Sequence, residues 1–143
     1  MKFSYVSITL AIAALIGSVV LVGCAGGGGA KKGDVLADRA TQRWNFLVNR
    51  DPGSAWEYLT PGSRAVTPKD RYIKETLVKP VKWTAARFVS ENCTKPDLCK
   101  VQMTVDYKIR SHLTGVGVIQ STQILDETWI RESGTWYFLP SGD

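Results

Sequence analysis

Few side chains in this chain can do chemistry, and most of those are claimed by something else. It has three cysteines and one histidine. Cys24 closes an uncharged apolar run from Val6 to Val22 that follows Lys2 and ends at Gly23. A basic residue, an apolar stretch and a small residue at the extreme N-terminus read as an export signal over residues 1–23. Export leads to an oxidising compartment, where the remaining pair, Cys93 and Cys99, reads as a disulfide. The turn signal Pro96-Asp97 lies between them. Metal binding competes with that reading but lacks ligands, because His112 stands alone in a Gly-containing turn. No Ser-His-Asp, Cys-His or nucleotide-binding glycine pattern is present, so no catalytic, metal or cofactor site is expected. What remains is carboxylates, and a carboxylate works as a general base only where the fold protects it.

The fold that would protect one is built on Leu98 to Arg110. Cys99, Val101, Met103, Val105, Tyr107 and Ile109 alternate with Lys100, Gln102, Thr104, Asp106, Lys108 and Arg110. This period-two pattern is a strand with one dry and one wet face, as in an antiparallel sheet. With Cys93 opposite Cys99, Trp83 falls beside Ile109, Ala85 beside Tyr107, Arg87 beside Val105 and Val89 beside Met103. A turn around Ser111 to Gly117 then places Gln123 beside Val105, Leu125 beside Met103, Glu127 beside Val101 and Trp129 beside Cys99. A last turn at Ser133-Gly134 sets Trp136 opposite Arg131 and Phe138 opposite Trp129. Paired residues share a face, so Arg87, Tyr107, Gln123, Glu127 and Trp129 form the candidate pocket on the dry face. Asp106 lies on the wet face. Burial of an unpartnered polar group costs several kcal/mol, which leaves two readings of the polar members. They line a ligand pocket, or Glu127 pairs with a helix Arg and a bulge at Ala85-Ala86 turns Arg87 outward and Phe88 inward. The tryptophans read as core and pocket wall, with an aromatic binding platform as the alternative.

Helices precede the strands. Ala25 to Gly33 holds four consecutive glycines and is a flexible tether with a reach of roughly 17 Å, so the segment 24–33 links Cys24 to a domain over 34–143. Asp34 is the expected N-cap of a first helix whose Leu36, Ala40, Trp44, Leu47 and Val48 share a face. Asp51-Pro52-Gly53 stops it. Ser54 to Glu57 is a capping-box pattern for a second helix through Leu59, broken by Pro61-Gly62. Thr67 caps a third, with Pro68 in its first turn and Tyr72, Ile73 and Leu77 inward.

Two resemblances add to this. Leu21-Val22-Gly23-Cys24 resembles the bacterial lipobox, which implies cleavage before Cys24 and a diacylglyceryl thioether on it. A plain transmembrane anchor is the alternative, since about 20 apolar residues span a bilayer. Ala25 after the lipidated Cys, by resemblance to enterobacterial sorting signals, implies delivery to the outer membrane, facing the periplasm. The second resemblance rests on Arg43-Trp44, Ala55 to Pro61, Val81-Lys82-Trp83, the Cys93 to Cys99 hairpin, Glu127-Thr128-Trp129 and Gly134 to Tyr137. Three helices followed by a meander of about four strands resemble the nuclear transport factor 2-like, cystatin-like cone fold, and within it small envelope lipoproteins of Gram-negative bacteria. The resemblance implies an α+β domain, a curved sheet wrapped around a helix with a pocket at the open end of a cone. It implies no activity, because the fold hosts isomerases, dehydratases, cyclases and many proteins without catalysis.

Charge narrows the partners. The net charge of +5 falls by one when Lys2 leaves with the signal, and Lys31 and Lys32 belong to the tether. No basic stripe of the nucleic-acid type is present, and the tether lysines sit where lipid headgroups would be. The expectation is a membrane-anchored, non-catalytic domain that binds a small apolar ligand or an envelope protein. A cofactor-free isomerase or cyclase acting through Glu127 is the alternative.

Overall fold

The computed structural model describes residues 35–111, 115 and 117–141. The export signal, Cys24, the tether, Asp34 and His112 lie outside these. The described residues form α1 (Leu36–Val48), α2 (Pro52–Trp56), α3 (Pro61–Val66), α4 (Lys69–Leu77), β1 (Val81–Lys95), β2 (Leu98–Arg110), β3 (Val118–Glu132) and β4 (Thr135–Leu139). The strands make one antiparallel sheet in the order β1-β2-β3-β4.

The helices differ from expectation in number and in their caps. Among the described residues there are four, not three. Val35 occupies the N-cap of α1 without a side-chain bond. That helix ends at Val48, two residues before Arg50, which takes a left-handed conformation (φ 59°). The Arg50 N–H bonds the Leu47 carbonyl and the Asp51 N–H bonds that of Phe46, a Schellman closure in a place glycine usually fills. Asp51 is therefore free to cap α2, its side chain accepting from the Ser54 N–H at 3.0 Å. Ser54 thus sits inside α2 instead of opening it. Pro61, read as a breaker, is the first residue of α3 behind Thr60, which accepts from the Ser63 N–H at 3.0 Å. Proline lacks only an N–H that a first turn leaves unpaired anyway, so it starts a helix as readily as it stops one. Pro68, not Thr67, is the N-cap of α4.

β2 and β3 pair without interruption from Leu98↔Ile130 to Arg110↔Val118, so Gln123, Leu125, Glu127 and Trp129 stand beside the expected partners. Trp136↔Arg131 and Phe138↔Trp129 hold as well. β1 departs. Cys93 faces Cys99, and the two are joined by a disulfide. The register shift between Phe88 and Ser90 then places Arg87 opposite Thr104 and Phe88 opposite Met103, and a second between Trp83 and Ala85 sets Trp83 opposite Tyr107 in place of Ile109. Each extra residue in a strand reverses the faces beyond it. Phe88 therefore points inward and Arg87 outward, the orientation expected of a bulge at Ala85-Ala86, but the shift that produces it lies between Phe88 and Ser90.

The sheet is not curled closed, contrary to the cone that the resemblance implies. Its outer edge at β4 is instead met by the chain between α2 and α3. Phe138 donates its N–H to the Tyr58 carbonyl at 2.7 Å and accepts from the Thr60 N–H at 3.1 Å. α1 lies across the dry face. Leu36, Ala40, Trp44 and Leu47 pack with Val101, Met103, Val105 and Trp129, and fully burying a large apolar side chain stabilises by about 1.5–3 kcal/mol. Trp44 meets Trp83 edge-on at 5.7 Å.

Candidate functional site

Glu127 is the centre of the dry face. Only 6% of it is exposed, and the reason lies in the strand pattern: at a spacing of two it shares the face of Leu125 and Trp129 beneath α1. Three of the roughly four acceptor sites of its carboxylate are taken by that helix and its own strand. Oε1 accepts from Arg43 Nη1 at 2.7 Å and Trp44 Nε1 at 2.9 Å. Oε2 accepts from Trp129 Nε1 at 3.0 Å. Arg43 is as buried as its partner, and its guanidinium lies 3.8 Å over the Phe138 ring. Its Nε–H is buried with no hydrogen-bond partner.

This cluster floors a cleft of about 530 Å³. α1 contributes Trp44 and Leu47, the sheet contributes Trp83, Leu125 and Phe138, and Tyr72, Glu75 and Thr76 of α4 close the far side. α4 buries none of its residues. Tyr72 and Thr76 are half-buried, one turn apart on the face toward the cleft. A stand-off helix over an apolar face leaves a volume in the range of small-molecule sites.

The pocket residues expected from the sequence do not come together. Glu127 lines the cleft, and Trp129 lies behind it, wholly buried. Tyr107 stands half-buried opposite Trp83, outside the cleft lining, and Gln123 is exposed on β3 beyond the cover of the helices. Arg87 is on the outer face. Its Nη1 and Nη2 bond Asp106 Oδ2 and Oδ1 at 2.8 and 3.0 Å. The bonds from Arg87 and then from Thr122 hold the Asp106 carboxyl below the usual range. Register shifts in β1 separate Arg87 from the dry face; the even β2–β3 ladder keeps Glu127 on it.

Sequence reasoning missed the contribution of α4 and the indole donors. Of the expected inward face of this helix, Tyr72 and Ile73 are half-buried, but Leu77 is 40% exposed and Thr76 takes the cleft side instead. That this face stands away from the sheet was not legible in the sequence, since nothing local encodes the gap.

No family model matches the sequence, and no curated protein matches it. Solved structures do. A ketosteroid isomerase-like protein from Erwinia carotovora atroseptica is similar at 16% identity, over 76% of this chain and 92% of its own, with a TM-score of 0.54. A SEC-C motif containing protein from Rhodopseudomonas palustris is similar at 13% identity, over 68% and 70%, with a TM-score of 0.52. An NTF2-like chain from Campylobacter jejuni is matched more loosely, at 14% identity over 73% and 96%, with a TM-score of 0.48. At these identities the likeness shows the fold, which is the nuclear transport factor 2-like one.

Proposed function

We propose, with that fold as the premise, that the domain binds a small, largely apolar ligand in the cleft without turning it over. We further propose that a lipid anchor at Cys24 holds it in the bacterial envelope, at the outer membrane and facing the periplasm. The observation that carries the binding reading is the cleft itself, about 530 Å³ walled by Trp44, Leu47, Trp83, Leu125 and Phe138. Its central carboxylate argues against catalysis. A general base needs a free lone pair within reach of the substrate, and three of the roughly four acceptor sites of Glu127 are taken by Arg43, Trp44 and Trp129.

A second reading, a cofactor-free isomerase or cyclase, draws on one observation: Glu127 lines the cleft of a fold shared with a ketosteroid isomerase-like protein. The two readings separate in one experiment. The uncharged dye N-phenyl-1-naphthylamine should bind saturably to the full chain in detergent micelles. Thr76→Phe, which fills the α4 side of the cleft, should weaken binding at least tenfold. Binding that Thr76→Phe leaves unchanged overturns the cleft as the site. Turnover of an apolar ketone, lost in a folded Glu127→Gln protein, establishes the second reading.

A further inference from the structure

The edges of the sheet are treated unequally. The outer edge of β1 carries three register shifts and the charged residues Lys82, Arg87, Glu91 and Lys95. Bulges and charges are the usual means of blunting an edge. The outer edge of β4 is met by the chain from Tyr58 to Thr60. The edge of β3 is covered by β4 only from Thr128 to Glu132. From Val118 to Glu127 it has no strand beside it among the described residues. Over that length β3 is free of bulges against β2, contains no Pro or Gly, and carries no charge before Asp126. Val118, Ile119 and Ile124 are 58%, 46% and 63% exposed there. A straight, uncharged, unpaired edge with exposed apolar side chains is a template for another strand.

The charges flanking this edge choose the occupant. At one end Lys108 and Arg110 lie on β2 beside Gln120 and Val118. Lys82 stands directly opposite Lys108 on β1, a like-charge pairing that is unfavourable unless compensated. None of the three has an ion-pair partner among the described residues. At the other end of the edge is Asp126, exposed on the same wet face. Antiparallel pairing about a two-fold axis perpendicular to the sheet preserves faces, so each residue must meet one of its own parity. The register that pairs all of Val118–Asp126 with itself puts Thr122 on the axis. It sets Val118 opposite the second copy's Asp126, Ile119 opposite its Leu125 and Gln120 opposite its Ile124. Arg110 then lies about 10 Å, two strand spacings, from that Asp126, a span the two side chains close over Val118. The same contact repeats by symmetry.

We propose that β3 pairs with β3 of a second copy of this chain, joining two four-stranded sheets through residues 118–126. The surface meets the cleft only at its last two residues, Leu125 and Asp126, and Thr122 and Ile124 lie outside the cleft lining. On the axis the two Thr122 residues face each other across an antiparallel pair, where Cα atoms are about 4.5–5.5 Å apart, within disulfide reach. The test is Thr122→Cys in the full chain, expressed in the envelope and run without reductant. A covalent homodimer should form well above the background of the unsubstituted chain. Adding Ile124→Lys, a change at an exposed site, should reduce it at least tenfold. Thr104→Cys, on the same face one strand inward, should give no dimer. Circular dichroism of each variant confirms the fold. A folded Thr122→Cys chain that stays monomeric overturns the proposal. So does one that cross-links to a different protein, or one that links no better than Thr104→Cys.

Discussion

Two of the arginine–carboxylate pairs among the described residues bind the sheet, one to a helix and one across strands, and they have little in common beyond their chemistry. Arg43–Glu127 joins a helix to the sheet at 2.7 Å with both side chains only 6% exposed. Arg87–Asp106 joins two strands with two bonds, but its side chains are 55% and 28% exposed. The outer pair has the better fork geometry, and water competes for every bond it makes. The inner pair has one bond to the guanidinium and is completed by two indole N–H groups. In a dry interior each of those donors matters, because an unmatched charge there has no solvent to turn to. The position of a pair, more than its geometry, sets what its loss costs.

The largest effect should come from changing Glu127. Glu127→Gln keeps the shape but turns an amide NH2 toward a donor, either Trp129 Nε1 or the Arg43 and Trp44 pair. It also leaves Arg43 buried without its charge partner. Loss of one member of a buried pair costs about 3–5 kcal/mol, so urea unfolding of this variant should show a much lower midpoint. A midpoint equal to that of the unsubstituted protein would place Glu127 in water and dissolve the contrast. Next comes Trp129→Phe, which keeps the ring in the core and removes one donor to the carboxylate. A hydrogen bond to a charged group contributes about 1.5–3 kcal/mol, and the same denaturation series measures it. Smallest is Arg87→Ala, whose melting temperature should fall only slightly at physiological salt, less than in either core variant.

Acid sharpens the outer half of the comparison. Asp106 is held low by Arg87 and then Thr122, Glu57 chiefly by Lys69, and Asp51 chiefly by Ser54. A carboxyl group whose folded pKa is depressed contributes stability that is present above its unfolded pKa and lost as pH falls through the folded value. The melting temperature should therefore hold at neutral pH and begin to fall below about pH 4, where unfolded carboxylates take up protons. Asp106→Asn should remove part of that acid-side loss. An unchanged acid limb in this variant would mean that Arg87 gives Asp106 no advantage in the folded state.

The same two pairs show what a sequence makes legible. β2 alternates strictly and meets β3 without a bulge, so period-two counting placed Glu127 on the dry face beside Val101, where it lies. One of the two readings of Glu127 was a bond to a helix Arg, and Arg43 supplies it. Arg87 could not be placed, because the shifts in β1 depend on how a long strand twists against its partner, and no residue there announces an insertion. The helix boundaries failed for a related reason. Arg50 in the left-handed region ends α1, which frees Asp51 to cap α2. An arginine carries no signal for that conformation. The cleft depends on α4 standing off the sheet, a tertiary fact without a local signature.

In the proposed binding site the floor, Glu127 with its three donors, stays closed when ligand enters. The most direct measurement is a nitrogen–proton correlation spectrum of the five tryptophan indoles during titration with N-phenyl-1-naphthylamine. Trp44 and Trp83 line the cleft; Trp129, wholly buried, does not. Saturable shifts at Trp44 and Trp83, with Trp129 unmoved and its bond to Glu127 intact, are the predicted result. Shifts at none of the indoles, or a displaced Trp129 resonance showing that the ligand has pulled Glu127 from its donors, would contradict it.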